Sequence, residues 1–481
     1  MQLKDADNQV FISPALDKKL SYKIKGKSLI ITLKSPLRPN TTYTINFGES
    51  IADITESNKL ENFSYVFSTG PYLDSMGITG HVHYAFNNST EKGILVMLYD
   101  TLTDSIVYHS RPLYFSRTDS SGHFKLNNLR KGTYKLIALK DMNFNYKYDL
   151  PNEAVAFTDT GIAINDSLGV YELALFTPLP AKQQLLYASS HDYGNIKFAF
   201  AASADSTSIT PIDTAAGDSL YYKEYTQGKD TVIAWLNDVR TPTIKFICTA
   251  RHFADTLNIS MKTVDSMKQV KVHFISGLLP GSKGKGFALA YGAPVMLRLN
   301  YPFKTYEKNT ILIKDDSIKK NYTASLSDSL PDKRKLYIKF PFKEDRPYHI
   351  IIPAGSITNL YGVYNDTAKL FFQTQTSEDV GNLQIKVTVP ASNDSWFMQL
   401  FDPSGALISQ QPLKANQPNT IFINSLQPGK YSARVVEDRN HNGRWDTGNY
   451  WKHLQPEKVF QYTGAINIRA NWDMEAEIKI P

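Results

Sequence analysis

The side chains best suited to chemistry lie in a short segment that presents oxygen ligands at fixed intervals. Asp438, Asn440, Asn442 and Asp446 occupy positions 1, 3, 5 and 9 of this segment, and Gly443 occupies position 6. Calcium prefers six to eight hard oxygen ligands, and glycine at position 6 permits the sharp turn that calcium loops make. The spacing therefore predicts a candidate structural calcium site, and we predict no other cofactor.

The same segment occurs earlier in the chain. Residues 129–149 and 426–446 align without a gap, and the earlier copy offers Asp141, Asn143, Asn145 and Asp149. Tyr146 stands where the second copy has glycine, so we expect calcium to favour the second copy. The alternative is that the Asp and Asn side chains bond nearby backbone N–H groups and stabilise a long hairpin loop without metal.

Two aromatic residues follow the second loop. Tyr450 and Trp451 are candidates for a ligand-stacking surface, because aromatic rings offer flat apolar faces. Trp445 matches Tyr148 of the first copy, and we expect Trp445 to pack as Tyr148 does.

Two histidines form a second candidate cluster. His81 and His83 are two residues apart, share one face of a predicted strand, and have a spacing that can hold zinc. That face is otherwise polar, and the second copy has Gln384 and Lys386 in the comparable stretch. We therefore favour a solvent-facing histidine pair over a metal site.

Catalytic motifs are missing from the sequence. It contains no G-x-S-x-G elbow, no H-E-x-x-H helix and no glycine-rich dinucleotide turn. The run Pro280–Gly286 lacks phosphate-loop spacing and is predicted to be a linker loop. We predict a protein without enzymatic activity, although the scattered carboxylates leave a glycosidase-type carboxylate pair open.

Charge and cysteine content restrict the partners. The chain of 481 residues carries a net charge of +7, and its lysines and arginines gather beside turns. Solvated hairpin ends explain this pattern best, with contact to an anionic glycan or a lipid head group as the alternative. Nucleic acid is disfavoured because no recognition element accompanies the charge. Cys248 is the only cysteine and is predicted to be a buried small apolar residue.

Period-two alternation of apolar residues recurs along the chain, with turn clusters at short intervals, which predicts an all-β fold of tandem sandwiches. The repeats give the order A–B–C–A′–B′. The predicted limits are 1–70 and 271–376 for the Ig-like pair, 71–178 and 377–481 for the prealbumin-like pair, and 179–270 for a middle sandwich.

The first domain differs from its repeat at one point. In 271–376 a predicted strand, Val295–Leu299, precedes the region that matches residues 1–70. We expect the first domain to lack its opening strand and to have an unpaired edge. We also expect the chain to be the tail of a longer precursor whose export signal precedes residue 1.

Two resemblances account for the paired domains. Leu37-Arg-Pro39-Asn-Thr41-Thr-Tyr43 and the closing Phe67-Ser-Thr69 resemble the bacterial Ig-like domain of the SbsA type. Leu129-x-x-Gly132-x-Tyr134 and its repeat from Leu426 resemble the prealbumin-like sandwich of carboxypeptidase regulatory-like modules. The whole arrangement is similar to outer-membrane lipoproteins of Bacteroidota with Ig-like domains.

A further pattern resembles the O-glycosylation motif of periplasmic Bacteroidota proteins: Asp, then Ser or Thr, then an apolar residue or Thr. It occurs twelve times, where average usage gives roughly two or three. The alternative is that these pairs form turns between strands. The candidate attachment residues are Ser75, Ser105, Ser167, Ser206, Thr214, Ser219, Thr231, Thr256, Ser266, Ser317, Ser329 and Thr367.

The resemblance implies a non-catalytic scaffold at the outer membrane, on its periplasmic or cell-surface side. Its partners would be outer-membrane or surface proteins, and it would meet the membrane only through a lipid anchor outside this chain. Two alternatives remain open: a carbohydrate-binding or adhesin-type surface protein, and a glycan-active enzyme.

Overall fold

Strands make up nearly all the regular structure of the protein. The computed structural model describes residues 1–60, 63–165, 168–180, 182–204, 207–212, 220–226, 228–250, 253–266, 270–275, 277–280, 287–329, 332–390 and 394–480. Within these ranges, helix is limited to α1 (Ala6–Gln9), α2 (Ile106–His109) and the 3-10 turns Val264–Ser266, Ser377–Asp379 and Tyr450–Lys452. No helix in these ranges is both long and apolar enough to cross a membrane. The predicted all-β class is confirmed.

Residues 1–70 form three small sheets around a core that includes Tyr43 and Ile45. The strand orders are β2–β5–β7, β3–β4 and β1–β6. The strands are β1 (Gln2–Leu3), β2 (Phe11–Ser13), β3 (Ser21–Lys25), β4 (Ser28–Thr32), β5 (Thr42–Asn46), β6 (Ile51–Ala52) and β7 (Ser64–Ser68).

Residues 71–178 form a sandwich of two sheets. The strands are β8 (Met76–Tyr84), β9 (Leu95–Tyr99), β10 (Tyr114–Arg117), β11 (His123–Leu129), β12 (Gly132–Leu139), β13 (Val155–Phe157), β14 (Ile162–Ile164) and β15 (Gly169–Leu175). One sheet has the order β10–β9–β12–β13, with β14 also on β12, and the other has β11–β8–β15. Strand β15 runs parallel to β8, which places the end of this sandwich beside its beginning.

Residues 179–270 form a second sandwich with sheets β16–β17–β20–β19 and β18–β21–β22. Cys248 is buried in its core, as predicted, and burial raises the pKa of the thiol to about 11. The strands are β16 (Leu185–Ser189), β17 (Asn195–Phe200), β18 (Ser208–Ile212), β19 (Leu220–Tyr225), β20 (Thr231–Leu236), β21 (Thr243–Ala250) and β22 (Phe253–Ser260).

Residues 271–376 form a nine-stranded sheet, β23–β26–β30–β29–β28–β31–β33–β25–β24, and the pair β27–β32. The strands are β23 (Val272–Phe274), β24 (Leu278–Pro280), β25 (Phe287–Leu289), β26 (Val295–Leu299), β27 (Phe303–Tyr306), β28 (Ile311–Asp315), β29 (Lys320–Ser329), β30 (Asp332–Lys339), β31 (Pro347–Ile352), β32 (Ile357–Asn359) and β33 (Ala368–Thr374). The predicted linker loop lies outside the described residues from Gly281 to Gly286.

Residues 377–481 repeat the strand order of residues 71–178. In the sheet β37–β34–β41, Leu383, Ile385 and Val387 point inward from alternate positions and are fully buried, which is the alternation that the sequence predicts. The strands are β34 (Gly381–Thr388), β35 (Ser395–Phe401), β36 (Leu407–Leu413), β37 (Asn419–Leu426), β38 (Gly429–Asp438), β39 (Val459–Gln461), β40 (Ile466–Ile468) and β41 (Asp473–Lys479).

The chain divides into two compact units. The first comprises Met1–Leu179, Ser392–Met398 and Arg434–Gln461, and the second comprises Pro180–Ala391, Gln399–Ala433 and Tyr462–Pro481. The repeat assigns Arg434–Gln461 to the fifth predicted domain, yet these residues pack with Met1–Leu179. Both Asp/Asn loops therefore belong to the first unit.

Candidate functional site

The second Asp/Asn loop begins where β38 ends and is closed by its own side chains. Asp438 accepts hydrogen bonds from the backbone N–H groups of Asn442 (2.9 Å) and Gly443 (2.9 Å). The side-chain amides of Asn440 and Asn442 both donate to Oδ2 of Asp446. Asn440 and Asn442 are thus brought to the carboxylate of Asp446, while Asp438 holds the backbone of the same turn.

The first loop has the same arrangement. Asp141 accepts from the backbone of Asn145 (3.3 Å) and Tyr146 (2.8 Å), and the amides of Asn143 (3.1 Å) and Asn145 (2.7 Å) donate to Asp149. Tyr146 adopts a left-handed backbone with φ of 64°, where the second copy has Gly443 with φ of 71°. The turn is therefore kept in the first loop despite the loss of the glycine that favours it.

Each loop also contains a buried glutamate that the sequence interpretation missed. Glu153 accepts from the backbone N–H groups of Met142, Asp149 and Leu150, each at 3.0 Å. Glu457 accepts from those of Arg439 and Asp446, each at 2.8 Å. The sequence repeat did not reveal this pair of glutamates, because their spacing differs. Glu153 lies twelve residues after Asp141, whereas Glu457 lies nineteen residues after Asp438.

Glu457 is in an unusual electrostatic position. Glu457 is only 2% exposed. Burial raises the pKa of its carboxyl to about 7, and the nearby charges of Asp446 and Asp438 act in the same direction. Two aspartates, two asparagines and this glutamate form an oxygen-rich donor set of the kind that calcium prefers. Their hydrogen bonds also match the metal-free alternative, so calcium binding stays a prediction for both loops.

The residues after the second loop pack on the sandwich of residues 71–178. Tyr450 is 2% exposed, meets the rings of Tyr148 and Phe157 edge-on, and donates to the carbonyl of Asp104 (3.0 Å). The prediction that Tyr450 stacks on an external ligand is therefore wrong, because protein atoms already cover its ring. Trp445 packs against Phe86, 4.9 Å between ring centroids.

Polar contacts hold the same segment. His453 Nε2 lies 2.7 Å from the carboxylate of Asp104, which also pairs with Lys135 at 2.6 Å. Lys135 and then His453 hold the pKa of Asp104 below its ordinary value. Gln455 donates to the Phe157 carbonyl (3.0 Å). The segment thus docks through one large aromatic side chain surrounded by charge-assisted hydrogen bonds.

Trp451 remains accessible. It is 58% exposed and stacks on Tyr108 with 4.7 Å between centroids and 9° between ring planes. One face of its indole is covered by Tyr108. Of the two predicted stacking residues, Trp451 alone retains exposed ring surface.

The predicted histidine pair is joined by a carboxylate. Nδ1 of His81 lies 3.2 Å from Oε2 of Glu172, and Nδ1 of His83 lies 3.7 Å from the same oxygen. Both imidazoles are about three-quarters covered, so the prediction of a solvent-facing pair is only partly correct. Burial, and then the neighbouring His81, lower the pKa of His83 below its ordinary value.

An apolar trough of about 630 Å³ lies on residues 1–70. Its lining comes from β4, β5, β6 and β7 and from the segments next to them: Leu29, Ile31, Leu33, Ile45, Phe47, Ile51, Leu60, Phe63, Tyr65 and Phe67, together with Met1. Phe63 and Tyr65 are exposed although they are large and apolar. Among the described residues, no strand pairs with the free edges of β4 and β7.

The candidate glycosylation residues have different surroundings. Ser75, Ser105, Thr256, Ser317 and Thr367 are exposed, whereas Thr231 is half-buried on β20 with its hydroxyl 3.1 Å from Asp230. Four candidates lie outside the described residues: Ser167, Ser206, Thr214 and Ser219. For Ser266 and Ser329 the structure does not describe the side chain.

Residues 1–69 match the family model of a bacterial Ig-like domain. This match confirms the Ig-like class predicted for the segment. No curated protein has a sequence that matches the chain.

Several solved structures are similar to parts of the chain. The major pilin subunit BcpA of Bacillus cereus is 9% identical, over 84% of this chain and 98% of its own, with a TM-score of 0.15. The Bacillus anthracis TIE protein is 10% identical, over 98% and 67%, with a TM-score of 0.16. Dimeric latent PorU from Porphyromonas gingivalis is 10% identical, over 85% and 46%, with a TM-score of 0.20.

Proposed function

We propose that this protein is a non-catalytic interaction scaffold of the bacterial cell envelope, which docks on outer-membrane or surface proteins. The observation that carries the proposal is the apolar trough on the Ig-like domain of residues 1–70. A soluble protein rarely leaves a contiguous apolar surface of this kind uncovered unless it is a binding site.

The repeat of this domain indicates what the trough accepts. In residues 271–376 the strand equivalent to β4 is β30, which pairs with β26 through Val295↔Ile338 and Leu297↔Leu336. The strand equivalent to β7 is β33, which pairs with β25. Two strands, Phe287–Leu289 and Val295–Leu299, thus cover the surface of the repeat that corresponds to the trough.

The occupant we propose is an extended strand with apolar side chains at alternate positions. Such a strand pairs its backbone with a free sheet edge and inserts every second side chain into the apolar surface. The free edges of β4 and β7 supply the backbone groups, and the trough supplies the apolar contact.

A labelled peptide with the sequence of residues 287–299 tests this binding mode by fluorescence polarisation. We expect saturable binding to the intact chain and none with a scrambled peptide. Ile31→Lys should abolish binding, because Ile31 lines the trough, whereas Ile30→Lys on the same strand should not, because its side chain points to the other face. Equal binding by both variants would refute the proposal.

Light scattering separates a partner strand from a second copy of this chain. A monomer at high concentration excludes a second copy as the occupant. A dimer that Ile31→Lys dissociates would show that the chain covers its own trough and would overturn the assignment to a partner.

Carbohydrate binding is a second candidate, favoured by the exposed Trp451–Tyr108 stack, because sugars pack on flat aromatic faces. Retention of the wild type, but not Trp451→Ala, on an immobilised polysaccharide would support it. Equal retention of both proteins would exclude the Trp451–Tyr108 stack as a carbohydrate-binding surface.

The outer-membrane location belongs to the same proposal. It is supported by the resemblance to Bacteroidota lipoproteins and by five glycosylation candidates with exposed side chains. Mass spectrometry of the protein from a native envelope should find glycan on the exposed residues before the half-buried Thr231. A protein found only in the cytoplasmic fraction without glycan would contradict the location.

A further inference from the structure

Parallel strand pairing brings three metal-binding side chains to one face of the sheet β11–β8–β15. His81 and His83 alternate along β8 and so share a face, and Glu172 of β15 lies directly opposite His81. One ligand atom from each of these residues lies within 4.8 Å of the other two. Glu172 is 91 positions from His81 and 89 from His83, so the fold rather than the chain brings it to them.

The separations are close to those of a tetrahedral zinc site. Zinc binds imidazole nitrogen and carboxylate oxygen at about 2.0–2.2 Å, so two ligands on a tetrahedral ion are about 3.3–3.5 Å apart. The two Nδ1 atoms lie 3.2 and 3.7 Å from Oε2 of Glu172. Only small side-chain adjustments are needed to enclose an ion.

A neighbouring turn orients the first imidazole. Nε2 of His81 lies 3.0 Å from the carbonyl oxygen of Ser121, which can only accept, so Nε2 carries the proton. The carboxylate of Asp119 holds this turn by accepting from the backbone of Ser121 and His123, and Gly122 adopts φ of 79°. A carbonyl acceptor behind a histidine is the usual outer contact of a metal-binding imidazole.

The other ring nitrogen of His81 faces the carboxylate of Glu172. Nδ1 lies 3.2 Å from Oε2, a contact that is satisfied either by a second proton on the imidazole or by a cation bound between the two atoms. The second imidazole, that of His83, approaches the same oxygen, which places two nitrogens and one carboxylate oxygen around one point. We propose that His81, His83 and Glu172 bind a zinc ion.

The second copy of the sandwich keeps the carboxylate but not the histidines. Strand pairing places Lys386 at the position of His81 and Glu477 at that of Glu172, because Lys386 lies opposite Glu477 as His81 lies opposite Glu172. There Glu477 pairs with Lys479 (3.0 Å) and Lys386 pairs with Glu475 (3.4 Å), so we assign the site to the first copy. This register aligns His81 with Lys386, whereas the sequence comparison set it against Gln384.

The expected site has three protein ligands and one open position. Two nitrogens and one oxygen suit zinc better than calcium, which prefers oxygen alone. The ion would join β8 to β15, the first and last strands of the sandwich. The open position takes water or a ligand from a partner.

Isothermal titration calorimetry with zinc chloride and the metal-free chain tests the site. We expect one zinc per chain with a micromolar or tighter Kd. The double variant His81→Ala/His83→Ala should lose binding, and Glu172→Gln should weaken it at least tenfold. His191→Ala, which removes an exposed histidine elsewhere, should bind as the wild type does.

Two results would overturn the proposal: no zinc bound by the wild type, or equal affinity in the double variant. Glu172→Gln guards against misfolding, because Glu172 is exposed and its loss leaves the core unchanged. X-ray absorption of the zinc-loaded wild type should show two imidazoles. Millimolar calcium should leave the titration unchanged, and competition would instead assign the zinc to the Asp/Asn loops.

Discussion

The first Asp/Asn loop returns to its sandwich at Glu153 after twelve residues, whereas the second takes nineteen to reach Glu457. Up to Asp149 and Asp446 the two loops hold corresponding side chains with corresponding hydrogen bonds. They differ in the stretch that follows. In the second loop this stretch contains the 3-10 turn Tyr450–Lys452.

The difference shows that one framework serves two purposes. Both glutamates pin the loop by accepting backbone N–H groups, so the loop is closed with or without the longer stretch. The longer stretch projects Tyr450 into the apolar cluster that contains Tyr148 and Phe157. The longer second loop therefore docks on the sandwich of residues 71–178 through Tyr450.

Removing the docking side chain should have the largest effect. Tyr450→Ala deletes a buried aromatic ring and its hydrogen bond to Asp104, at an expected cost of about 3–5 kcal/mol to the docked state. Hydrogen exchange of residues 447–456 should rise by two or more orders of magnitude, while residues 142–150 stay protected. Trp451→Ala, the exposed neighbour, should cost only about 0.5–1.5 kcal/mol. Equal effects of the two variants would show that Tyr450 is not the anchor.

The two buried glutamates should contribute different amounts to the stability of their loops. Glu153→Ala leaves three backbone N–H groups without an acceptor and should cost about 3–4 kcal/mol. Glu457→Ala should cost about 1–2 kcal/mol, because it frees two N–H groups and removes a carboxyl that burial disfavours. The measurement is local hydrogen exchange in each loop. A larger loss for Glu457→Ala would contradict the comparison.

The second loop should lose stability as the pH rises towards neutrality. The native pKa of Glu457 is raised to about 7, whereas an unfolded glutamate titrates near about 4.3. A raised native pKa gives stability that is fully present below about pH 4.3 and lost as the pH rises through about 7, up to about 4 kcal/mol. This loss of stability is measured as the hydrogen-exchange protection of residues 439–446 from pH 4 to 8, corrected for intrinsic exchange rates. The slope should vanish in Glu457→Ala.

Much of the loop was predictable from its residues. Asp and Asn at positions 1, 3, 5 and 9 indicate a turn closed by side chains, because these residues bond nearby N–H groups. Glu153 and Glu457 were not predictable, because their distance from the first aspartate differs between the copies. The docking of Tyr450 also escaped sequence reasoning, since an aromatic residue next to a polar loop is equally consistent with an open binding surface.

The same division applies to the histidines. Alternation along one strand placed His81 and His83 on one face, but Glu172 reaches them only because β15 pairs in parallel with β8. The trough was predictable in part. The repeat predicted a missing strand, and the structure added which side chains line the trough.

By itself, the sequence determined the all-β class, the repeated domains and the local turns, because strand alternation and side-chain capping act over a few residues. The tertiary structure alone decided which distant residues meet: the loop of one copy on the sandwich of the other, and Glu172 beside the histidines. Such contacts depend on burying apolar surface shared by distant segments, and no local pattern encodes the partner.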